Sequence, residues 1–140
     1  MAAQLADSQG AENSLMYELS RSYKIEAAHD LPHAPVGHKC RRLHGHSFLI
    51  TVRVGGAIRE PEGWVIDFGD IDAAFEPLMG ELDHRYLNDV TGLSNPTSEN
   101  LAAWIWARLE GELPSLKGIE VGETCRSRVL FNGPDEEDRG

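Results

Sequence analysis

Two stretches of period-two alternation dominate this sequence, and both run into histidine. Tyr23, Ile25 and Ala27 alternate with Ser22, Lys24 and Glu26, while Phe48, Ile50, Val52 and Val54 recur at every second position up to Gly55-Gly56. That is the signature of strands with one buried face. His29 keeps the parity of the first set, and His44 and His46 keep that of the second. All three imidazoles are therefore expected on the apolar side of one sheet. A His-x-His pair on a strand sits about 6.5–7 Å apart at Cα, from two steps of ~3.3 Å.

The remaining pattern completes an α+β outline. Residues 30–43, with Pro32, Pro35 and Gly37, read as a loop. Trp64-Val65-Ile66 reads as a short third strand after a turn at Pro61 and Gly63. Phe68, Ile71, Phe75, Leu78 and Leu82 have helical spacing, with Pro77 expected to kink the helix or mark a weak turn. Asn95-Pro96-Thr97-Ser98 opens a second helix with Leu101, Trp104, Ile105 and Leu109 on one face. A last strand is expected from Ile119 through Leu130. Strands first and helices together argue for an antiparallel sheet.

At 140 residues there is room for one domain. Residues 1–14, small, polar and aperiodic, read as a disordered extension, and 133–140 as an acidic tail, leaving 15–132 as the folded body. The formal net charge is −10, of which the tail carries −3 and the opening segment −2. Nucleic-acid binding is disfavoured, because it needs a positive footprint. No apolar run approaches the ~20 residues of a membrane span, and no secretory signal pattern opens the chain, so the expected location is cytoplasmic.

Three histidines are enough for a metal. They supply neutral nitrogen ligands and leave a fourth position open, the pattern of catalytic rather than structural zinc. The competing reading is three separate histidines, each satisfied by ordinary hydrogen bonds. Cys40 lies in the loop between the ligand strands beside Lys39, Arg41 and Arg42. A thiol among cations favours its thiolate and suits a base or nucleophile, or a fourth metal ligand. Asp83-His84 offers an acid/base unit, against the plainer reading of solvated helix-end residues. Glu123 shares the inward parity of Ile119 and Val121. A buried carboxylate needs a partner, either a ligand with two adjacent N–H donors or a salt bridge to Arg126 or Arg128. Cys125 reads as core, and His33 and His38 as solvated loop residues.

Taken together, these runs resemble the 6-pyruvoyl-tetrahydropterin synthase family. Tyr23 to His29, Leu31-Pro32-His33, Gly37-His38-Lys39-Cys40 and Arg42-Leu43-His44-Gly45-His46 carry the likeness. So do Gly63 to Phe68, Leu82-Asp83-His84-Arg85-Tyr86-Leu87-Asn88, Asn95 to Glu99 and Glu123-Thr124-Cys125. Within the family the chain looks most like the bacterial 6-carboxytetrahydropterin synthases of the queuosine pathway. The resemblance implies a T-fold, a four-stranded antiparallel sheet with two helices on one face. It also implies a homo-oligomer, commonly a hexamer of two trimers with sites between subunits, whose association would cover apolar sheet left open by one chain. It implies zinc on His29, His44 and His46, Cys40 as proton acceptor, Asp83 with His84 as its partner pair, and Glu123 anchoring the pterin or joining the proton relay. Thr97, Ser98 and Glu99 would line the pterin pocket. The implied substrate is 7,8-dihydroneopterin triphosphate. Two alternatives stand beside this: elimination of triphosphate without carbon loss, and a non-catalytic pterin- or zinc-binding module.

Overall fold

The alternation in the first half of the chain becomes one long hairpin. In the computed structural model, which describes residues 16–124 and 126–135, strand β1 spans Tyr17–His29 and strand β2 spans His44–Gly56. They pair antiparallel without interruption from Tyr17↔Gly56 to His29↔His44, and Ala27 faces His46. The expected extension 1–14, most of the acidic tail and Cys125 lie outside the described residues.

Helix α1 (Phe68–Leu82) starts at Asp67, whose side chain accepts from the Gly69 N–H at 2.9 Å. It runs through Pro77 as a single element. The bond that Pro77 cannot make would go to the carbonyl of Ala73, and both residues are exposed. Water can satisfy that carbonyl while Phe75, Leu78 and Leu82 stay buried, so the proline does not end the helix. Helix α2 (Ser98–Leu109) is capped by Thr97, which accepts from the Asn100 N–H at 3.0 Å.

Two expectations about strands need correction. Trp64-Val65-Ile66 forms no sheet strand; Trp64 makes an isolated bridge to Arg59. The cap at Asp67 follows too closely for a strand to develop. The single last strand is in fact a hairpin, β4 (Leu116–Thr124) and β5 (Ser127–Phe131), with Val121 opposite Val129. Alternation continues across the turn, and no Gly, Pro or Asn marks it. A further strand, β3 (Arg85–Tyr86), pairs parallel with Ala27 and Ala28 of β1. The sheet therefore has five strands in the order β3-β1-β2-β4-β5, and all but β3 run antiparallel.

Both helices cover the same sheet face. Ile25, Phe48, Ile50, Val52, Val54, Ile119 and Val121 of the sheet are fully buried against Ile71, Phe75, Leu101, Ile105 and Leu109 of the helices. Each such side chain contributes roughly 1.5–3 kcal/mol through burial. Tyr23 stacks on Phe75 with ring centroids 4.1 Å apart. The apolar face is thus covered within the chain, and partner subunits are not needed to cover it. The opposite face is mainly polar, with Arg53 paired to Glu18, Ser22 to Thr51, Ser47 to Glu26 and Arg128 to Glu120, and it also exposes Leu49 and Leu130.

Candidate metal centre

His29, His44 and His46 meet at the end of the β1–β2 hairpin, as their parity requires. Their ring centroids lie 4.5, 5.1 and 5.6 Å apart, and one ligand atom from each falls within 4.8 Å of the others. His29 is buried at 1 % exposure, and the other two are half-buried.

Each ring is oriented by a backbone carbonyl. Nδ1 of His29 lies 2.8 Å from the Pro96 oxygen, that of His44 2.7 Å from the Arg42 oxygen, and that of His46 3.0 Å from the Ser47 oxygen. A carbonyl only accepts, so each Nδ1 carries a proton, which leaves Nε2 as the atom able to present a lone pair. The Nε2 atoms of His29 and His46 are 3.3 Å apart. At that distance the two nitrogens either share a proton or, if both are unprotonated, repel unless a cation lies between them. The separation equals the ~3.3 Å edge of a tetrahedron with metal–nitrogen bonds near ~2.0–2.1 Å. Burial lowers the pKa of His29, partly opposed by its bond to Pro96, and so favours the neutral ligand form. The donor set fits a borderline-soft divalent ion. Each ring has its own carbonyl partner, and the three also converge closely enough to hold one ion.

Cys40 sits in a 3₁₀ turn (Lys39–Arg41) of the loop between the two strands. Its N–H donates to His38 Nδ1 at 3.0 Å, and its carbonyl accepts from the Leu31 N–H at 2.8 Å. The thiol is half-buried and is not among the ligand atoms that converge with the histidines. The reading of Cys40 as a fourth ligand is therefore not realised in this geometry. His33 and His38 are exposed, as expected, although His38 also caps the cysteine turn.

Asp83 and His84 grip β1 from its β3 side. Asp83 Oδ1 accepts from the Glu26 N–H at 2.9 Å, and the His84 N–H donates to the Glu26 oxygen at 2.6 Å. Asp83 Oδ2 lies 3.0 Å from His84 Nδ1, which fixes that ring's orientation. The Glu26 N–H and then His84 hold the Asp83 carboxyl below its usual pKa. His84 adopts a φ of 59°, sparsely populated by residues other than glycine. Its exposed ring opens on a concavity of about 420 Å³ shared with His46, Gly45 and Tyr86. These are not merely solvated helix-end residues.

Glu123 accepts from Ser98 Oγ at 2.7 Å, while Arg128 is engaged by Glu120 at 3.0 Å. Thr97, Ser98, Glu99 and Glu123 line one cleft of about 230 Å³ with Leu31. The residue before Thr97 is Pro96, whose carbonyl orients His29, so cleft and metal centre share a wall. Sequence reasoning named Thr97, Ser98, Glu99 and Glu123 but missed the rest of the cleft lining and the Pro96 carbonyl, because main-chain acceptors leave no residue-type signal.

Residues 18–134 match the family described as 6-pyruvoyl tetrahydropterin synthase. The chain belongs to that family. A 6-carboxy-5,6,7,8-tetrahydropterin synthase from Synechocystis sp. is 45% identical over 125 residues, spanning 85% of this chain and 95% of the relative. A dihydroneopterin monophosphate aldolase from Pyrococcus furiosus is 40% identical over 100 residues, 69% of this chain and 84% of that one. The solved 6-pyruvoyl tetrahydropterin synthase from Caenorhabditis elegans shares the fold, with a TM-score of 0.78 at 21% identity over 86% of this chain and 97% of its own. The fold is thus the T-fold of that family, with five strands in this sheet where four were expected, the two-residue β3 being the fifth.

Proposed function

We propose that this chain is a zinc-dependent 6-carboxytetrahydropterin synthase. It converts 7,8-dihydroneopterin triphosphate and water to 6-carboxy-5,6,7,8-tetrahydropterin, acetaldehyde and triphosphate, a step toward the 7-deazaguanine of queuosine. The observation that carries the choice of product is the 45% identity, over 95% of its length, to the Synechocystis synthase.

The side chains suit the chemistry. When bound to the three histidines, zinc supplies Lewis acidity toward the side-chain hydroxyls of the substrate. Glu123, held by Ser98, accepts from the adjacent N–H donors of the aminopyrimidinone ring, with Thr97 and Glu99 at the cleft wall. Cys40 removes a proton from the substrate side chain as triphosphate leaves. His84, oriented by Asp83, moves protons on the other face before the carbon–carbon bond breaks. Lys39 and Arg42 are exposed in the cysteine loop and hold the triphosphate; Arg41 is partly committed to the Ala34 carbonyl. A free thiol persists most readily in a reducing compartment, which supports a cytoplasmic enzyme.

The catalytic unit is 15–132, with 1–14 and 133–140 as extensions outside it. It works as a homo-oligomer, a hexamer of two trimers with shared sites. The outer edges of β3 and β5, unpaired among the described residues, support strand pairing between copies. Incubation with dihydroneopterin triphosphate should release acetaldehyde and triphosphate in equal amounts. Triphosphate with a pyruvoyl product and no acetaldehyde would overturn the carboxy assignment.

A further inference from the structure

His29 is the last residue of β1, and its support runs out there on both sides. The ladder to β2 ends at His29↔His44, and β3 reaches only Ala27 and Ala28. The next residue, Asp30, is held instead by a side chain. Asn88 Oδ1 accepts from the Asp30 N–H at 3.0 Å, and Asn88 Nδ2 donates to the Asp30 carbonyl at 2.8 Å.

A primary amide presents one donor and one acceptor in a plane, as a peptide edge does. Asn88 therefore continues the parallel pairing of β3 beyond its last residue. Its Nδ2 also makes a longer contact, 3.4 Å, to the Ser94 carbonyl. Ser94 stands two residues before Pro96, whose oxygen orients the His29 ring. One side chain thus joins the main chain at His29 to the loop that aims its imidazole.

We infer that Asn88 is a positioning residue for the metal centre, fixing His29 through paired hydrogen bonds to the Asp30 backbone. The inference rests on the metal reading above. Supports behind a metal-binding histidine typically change metal affinity by 10–100-fold when removed. Asparagine is specific for this task. A carboxylate accepts from the Asp30 N–H but cannot donate to its carbonyl.

The test measures zinc affinity of the full chain by competition with a chromophoric chelator, alongside thermal unfolding of the metal-free protein. The variants are Asn88→Ala, Asn88→Asp and Val54→Ala, the last a core truncation at the opposite end of β2 from His44. Asn88→Ala should weaken zinc binding about ten- to a hundredfold. Asn88→Asp should also weaken it, and Val54→Ala should lower the melting temperature with affinity within about threefold of wild type. Wild-type affinity in Asn88→Ala would overturn the inference while leaving the metal reading intact. Equal affinity losses in Asn88→Ala and Val54→Ala would overturn it too, since general destabilisation would then account for both. A wild-type protein that bound no zinc would overturn the metal reading and this one together.

Discussion

Nδ1 of His29 lies 2.8 Å from the carbonyl oxygen of Pro96, a residue 67 positions further along the chain. The hydrogen bond ties the most buried metal-binding candidate to the turn that starts helix α2. The next two residues of that turn, Thr97 and Ser98, line the cleft that holds Glu123. Movement of the turn therefore shifts His29 and the Glu123 cleft together.

Metal content is the first consequence. The purified protein should hold about one zinc per chain by elemental analysis, and His29→Ala or His44→Ala should each remove most of it. Chelation should abolish turnover while the far-UV circular dichroism of the sheet persists, because the core around Phe48 and Ile50 closes without the ion.

Cys40→Ala should lower kcat by about 10²–10⁴-fold at full zinc occupancy, the range for a lost general base. Unchanged kcat at equal zinc content would remove the thiol from the mechanism.

Glu123→Gln should reduce kcat/KM about ten- to a hundredfold, as a charge-assisted bond is worth roughly 1.5–3 kcal/mol. Ser98→Ala should have a smaller effect in the same direction, since it removes one donor to that carboxylate and leaves the charge. Steady-state kinetics on both variants checks the order.

The Asp83 carboxyl is held below its ordinary pKa by the Glu26 N–H and then by His84. The folded pKa lies under the unfolded value near ~3.9, so the stabilisation is full above that value and is lost as pH falls through the folded pKa. The stability gap between wild type and Asp83→Asn should therefore shrink as pH falls from about 5 to below about 4. Urea unfolding across that range measures it. A gap unchanged at low pH would refute the assignment.

The convergence of the three histidines was legible because parity is a one-bit property. Once Phe48, Ile50, Val52 and Val54 choose the buried face, His44 and His46 must follow, and the pairing with β1 brings His29 opposite His44. The first helix was legible through the spacing of Phe68, Ile71 and Phe75, and the second through the start signal Asn95-Pro96-Thr97-Ser98, but the cap at Asp67 was found only in the structure. The β4–β5 hairpin was not, since alternation through Val129 looks the same in one strand or two. Nor was β3, which is too short for any period and exists because Asp83 and His84 dock on Glu26. The left-handed backbone at His84 had no signal in a histidine. Glu123 was recognised by parity as a carboxylate in need of a partner, but Ser98 became that partner only through the tertiary fold.

The uninterrupted β1–β2 ladder constrains how this chain can change in length. One residue inserted between His46 and Phe48 would turn His44 and His46 to the polar face while the core stayed in place. The same insertion among residues 30–43 would leave every pairing intact, provided the Cys40 turn kept its contacts. Insertions and deletions between relatives should therefore collect in that loop and be missing from the paired strands, because there the packing of the core and the geometry of the metal ligands can only be inherited as one unit.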